Sequence, residues 1–108
     1  MTQKNADLGF HRAMVHIYET AKRDLGYNAT RFLQMISEHG GLEAAKQLLH
    51  ATTVSDGFTT LWQHKRLDLS VEAHVLTPQY ASLFTDADRQ TARSRLVEYG
   101  YQPDPHPS

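Results

Sequence analysis

Residues 55–76 read SDGFTTLWQHKRLDLSVEAHVL, and the second half of this stretch decides the fold. Leu67, Leu69, Val71, Ala73 and Val75 alternate with Asp68, Ser70, Glu72 and His74, the period of two that marks a half-buried strand. The same residues also read as a helix, with Leu69, Ala73, Leu76 and Tyr80 recurring at steps of four, three and four. A lone strand would leave its backbone groups without a ladder, and nothing else in the chain alternates. The helical reading is therefore adopted, with Asp68 as cap, Glu72 as a solvated first-turn residue and Pro78 as the stop. In the first half, Ser55 or Asp56 caps a helix that turns Phe58, Leu61 and Trp62 inward. Its outer side carries Thr59, Thr60, Gln63 and Arg66.

Upstream of this stretch, Phe10, Met14, Ile17, Tyr18, Ala21 and Leu25 lie on one face of a long first helix. Lys22 and Arg23 suit its C-terminal end, and Gly26 suits the left-handed stop. Asn28 is expected to cap a second helix bearing Phe32, Leu33 and Ile36. His39-Gly40-Gly41 then turns the chain sharply into a third helix with Leu42, Ala45, Leu48 and Leu49. Downstream, Tyr80, Leu83 and Phe84 form a short apolar connector. Thr85 and Asp88 make a capping box for a last helix carrying Ala92, Leu96 and Tyr99 inward, stopped by Gly100.

The expected fold is thus all-α, one compact domain of five or six short helices over residues 1–101, the longest at the N-terminus. Residues 102–108, with three prolines at alternate positions, should form an extended or disordered tail. The core is expected around Phe10, Ile17, Phe32, Ile36, Leu48, Leu49, Phe58, Leu61, Trp62, Leu76, Phe84 and Leu96.

Composition excludes several classes of function. The 108 residues are 40% hydrophobic and 21% charged, with a net charge of -1, so no overall basic field draws in nucleic acid. There is no cysteine, which removes disulfides, thiolate metal sites and a cysteine nucleophile, and suits a reducing cytoplasm. No signal-type apolar segment opens the chain, and no window approaches the roughly 18 apolar residues of a membrane span.

The segments RFLQMISEHGGLEAAKQLL, SDGFTTLWQHKRLDLSVEAHVL and LFTDADRQTARSRLVEYGY, taken in this order, resemble a small family of bacterial proteins of about this size. GFTTLW followed by RLDLSVEA, and LFT followed by an Arg-rich helix ending in Gly-Tyr, carry the likeness, which spans nearly the whole chain except its ends. It implies a compact bacterial, cytoplasmic protein and brings no activity with it.

No chemical constellation assembles along the chain. The seven histidines include no pair four apart on one helix and no HExxH pattern, so neither a metal site nor a cofactor is expected. Asp68 and Glu72, four apart, are the pair from which a small enzyme could be built, although capping and solvation explain them as well. The helix pair 42–66 resembles a helix-turn-helix, whose second helix would present Thr59, Thr60, Gln63, Lys65 and Arg66 to a DNA groove. Asp56 sits at the approaching end and no basic arm accompanies it, which ranks DNA second. The leading expectation is a non-enzymatic protein-interaction module. Its surface would be the late cluster of Tyr80, Leu83, Phe84, Tyr99 and Tyr101, covered by a second copy in a homodimer or, in a monomer, by the first helix.

Overall fold

In the computed structural model, which describes residues 2–102, six α-helices and two 3₁₀ turns follow one another. They are α1 (Thr2–Leu25), α2 (Thr30–His39), α3 (Gly41–His50), α4 (Asp56–Gln63), a 3₁₀ turn (Leu67–Leu69), α5 (Val71–Val75), a second 3₁₀ turn (Pro78–Leu83) and α6 (Asp86–Glu98). No strand occurs among the described residues. The expected tail, residues 102–108, lies outside the described residues except for Gln102.

The alternation in residues 67–75 has a physical cause other than a sheet. This segment lies between two apolar clusters and sends side chains into both. Val71 and Val75 join Phe10, Met14, Ile17 and Ile36 in the larger cluster. Leu67, with Leu69 and Ala73 against it, joins Phe58, Leu61 and Leu96 in the smaller one, and Leu76 touches both. A helical segment packed on two sides loses the single apolar stripe that identifies an amphipathic helix.

Ser70, not Asp68, caps α5. Its hydroxyl donates to the Leu67 carbonyl at 2.6 Å and accepts the Ala73 amide at 3.1 Å, joining the end of the 3₁₀ turn to the start of the helix. Asn28 likewise does not cap α2: its side-chain oxygen accepts the Tyr18 hydroxyl at 2.7 Å, and α2 begins after Ala29 without a side-chain cap. Thr85 and Asp88 do form the capping box at α6.

α1 is the spine against which α2, α3, α5 and the second 3₁₀ turn pack. It comes so near Gly41 that a Cβ there would fall 2.7 Å from the His11 Cα. The Gly41 amide, one of the free donors at the start of α3, is accepted by His11 Nδ1 at 2.9 Å. Most of the expected core is buried, with Phe32, Leu48 and Leu76 at its margin. Trp62 is the exception and stays 44% exposed. The end of α4 passes the edge of the smaller cluster, so the stripe Phe58–Leu61–Trp62 outruns the core beneath it.

Candidate functional site

Two features depart from an ordinary helical core: an aromatic groove at one end of α4 and a cleft at the other. The groove is formed where α4 and α6 end side by side, lined by Trp62, Gln63, Lys65, Leu67, Tyr99, Gly100 and Tyr101. Both helices stop in the same way. At α6 the amides of Gly100 and Tyr101 return to the carbonyls of Val97 and Leu96, with Gly100 at φ 84°. At α4 the amides of Lys65 and Arg66 return to Trp62 and Leu61, and the left-handed position, φ 60°, is held by Lys65. These are paired Schellman ends, one with the customary glycine and one with a residue that pays a steric penalty there.

Between them the rings are stacked in series. Tyr99 meets Phe58 edge-to-face at 5.0 Å and Trp62 edge-to-face at 5.3 Å. The buried Phe58 ring thus anchors Tyr99, and Tyr99 in turn fixes the exposed indole. Tyr101 lies half-buried on the same cluster.

The other expected contact residues separate. Tyr80, Leu83 and Phe84 are buried within the chain, and Phe10 of α1 packs edge-to-face on Tyr80 at 5.1 Å and on Phe84 at 5.2 Å. α1 therefore covers those three residues, while Tyr99 and Tyr101 remain accessible beside Trp62. Of the residues assigned to a DNA-reading helix, Thr59 and Thr60 are half-buried, Gln63 and Lys65 are exposed, and Arg66 pairs with Asp68 through two contacts at 3.0 and 3.2 Å.

Asp68 and Glu72 part in the same way. Asp68 stays outside with Arg66, whereas Glu72, expected in solvent, is buried. Its carboxylate meets the Arg95 guanidinium at 3.3 Å. Arg95 also donates to the carbonyls of Leu48 at 3.0 Å and Ala51 at 2.6 Å, with a longer contact to Leu49. It is a fork that closes the C-terminus of α3 and ties it to α5 and α6. Residues 23 to 47 apart meet here, so no local spacing announces the arrangement. One signal was present: unlike the first, second and last helices, the third has no glycine stop, and its last carbonyls need donors from elsewhere. Burial pushes the Glu72 pKa above the ordinary glutamate range, and its own backbone amide and Arg95 offset only part of that rise.

Glu72 lines the floor of the second feature, a cleft of about 500 Å³ bounded by α1, α2 and the start of α4, with Phe32, Met35, Phe58 and Leu61 among its walls. The histidines form no metal cluster among the described residues. They act singly: His11 receives the Gly41 amide, His50 meets Asp88 at 2.8 Å, and His74 meets the Ser70 carbonyl at 2.9 Å. No helix among the described residues is long and apolar enough to cross a membrane. Comparison with family models, curated proteins and solved structures found no match, so the geometry alone carries the functional reading.

Proposed function

We propose that this chain is a small non-enzymatic interaction module that pairs with a second copy of itself through the groove of Trp62, Tyr99 and Tyr101. The observation that supports it is a tryptophan braced edge-to-face by Tyr99 yet left 44% exposed. Trp and Tyr are the residues that dominate contact energetics, and a ring already fixed by its neighbours loses little freedom on binding. Lys65 holds a strained conformation at the rim of this groove. Such strain gathers at working surfaces. Closed two-fold pairing sets a patch against itself, and aromatic rings meet their own kind well edge-to-face. Charge opposes the pairing little, since one chain carries only -1 and Arg66 is balanced by Asp68.

Light scattering over a concentration series tests the pairing. The mass should climb from 12.3 kDa toward twice that value, and the Trp62→Ala variant should stay at 12.3 kDa throughout. A wild-type mass fixed at 12.3 kDa across the series would overturn the reading.

The lack of cysteine supports a reducing, cytoplasmic setting. Groove reading by α4 is the weaker proposal, because Arg66 is engaged by Asp68 and three of its five residues, Thr59, Thr60 and Arg66, are half-buried. An enzyme built on Asp68 and Glu72 together has no support from their placement, one exposed beside Arg66 and the other buried beside Arg95.

A further inference from the structure

The cleft over Glu72 is separate from the aromatic groove, and what it does is independent of whether the chain pairs. Its size, about 500 Å³, is that of a site for a small organic molecule. The walls are apolar, with Phe32 and Met35 from α2 and Phe58 and Leu61 from α4. The floor carries a glutamate only 3% exposed, an unusual residue to place beneath apolar walls.

The Glu72 carboxylate is also incompletely compensated. Its contact with Arg95, at 3.3 Å, is longer than the roughly 2.7–2.9 Å of a strong charge-assisted hydrogen bond. Arg95 cannot come closer without loosening its bonds to the end of α3, which are shorter at 2.6 and 3.0 Å. Burial disfavours the ionised form of this carboxylate and a cation beside it favours that form; once ionised it only accepts hydrogen bonds, so the group that suits this floor is a cationic donor. Asp56 at the mouth adds a second negative group and Arg31 a positive one, which leaves the buried acid to set the preference.

We propose that this cleft binds a small amphiphile, its apolar body against Phe32, Met35 and Phe58 and its protonated amine on the Glu72 carboxylate. An anionic counterpart of the same length would meet a like charge at the floor. A neutral one would form a hydrogen bond without the ionic attraction.

Three six-carbon probes, n-hexylamine, 1-hexanol and hexanoate, test this by titration into the ¹⁵N-labelled chain. Saturable shifts should appear at the amides of Phe58, Ser70 and Glu72, with the amine binding roughly tenfold or more tighter than the acid. Glu72→Gln should abolish that preference while keeping the weak binding of hexanol. Because Glu72→Gln also changes the Arg95 site, a second variant, Thr53→Trp at the exposed mouth, is used to block entry without touching the floor. It should remove the shifts for all three probes. Absence of saturable shifts with hexylamine, equal affinity for all three probes, or undiminished binding to Thr53→Trp would each overturn the assignment. If Glu72→Gln does not fold, the probe series and Thr53→Trp decide between the same outcomes.

Discussion

Gly41 shows how much one side chain's absence can matter. Its Cα lies so near α1 that a Cβ would press on the His11 backbone at 2.7 Å, and backbone cannot rotate away. Gly41→Ala should therefore cost on the order of 1–3 kcal/mol in urea denaturation, the range of an overpacked core. An unchanged midpoint would show that α1 and α3 can separate freely. Glu72 gives a second residue-level expectation, this time in pH. Its folded pKa is raised by burial, so the folded chain holds a proton that the unfolded chain releases earlier. Its contribution is complete below the ordinary glutamate range and is lost as pH rises through the raised value. Asp88 acts with the opposite sign: burial raises its pKa, but the bonds from His50 and Thr85 outweigh this and hold it low. Its contribution is present above the ordinary aspartate range and disappears on acidification through the lowered value. Stability measured from pH 5 to 8 should accordingly fall more steeply in wild type than in Glu72→Gln. Parallel profiles would remove Glu72 as the cause.

Helix ends separate what local sequence records from what it does not. Gly26, Gly100 and the Thr85–Asp88 box were readable because each acts within a few residues of itself. The stop of α4 was not readable, since nothing about Lys65 announces a left-handed backbone. Lys65→Gly should relieve that strain and raise stability by about 1 kcal/mol, the approximate cost of a left-handed residue with a Cβ. A loss of stability would mean that the lysine side chain makes a compensating contact. The cap of α5 is not legible locally for another reason. Asp68 and Ser70 are both good caps, and only the 3₁₀ turn, which points the Leu67 carbonyl at the Ser70 hydroxyl, chooses between them. The burial of Glu72 is hidden for the same cause, because the turn sets how the helix that follows it faces the core.

At the scale of the molecule, the helical class was legible, while the division of the core was not. A stretch serving two clusters looks like a strand in sequence, and an aromatic stripe looks like core whether or not the core extends under all of it. Trp62 sits where it does not, beyond Phe58 and Leu61, with Tyr99 edge-to-face against it. The Arg95 fork was hidden because its partners come from two other helices, the end of α3 and α5. The first helix, not a second copy, covers Tyr80, Leu83 and Phe84, which moves the proposed pairing surface to the ends of α4 and α6. That surface contains the chain's one tryptophan, whose fluorescence reports its own surroundings. The most direct test is the Trp62 emission maximum as the protein is diluted. The account predicts blue-shifted emission at high concentration, when the partner shields the indole, moving to longer wavelength as the pair separates. A maximum that stays constant across a range in which the mass changes would place the contact elsewhere, and constancy of both would contradict pairing altogether.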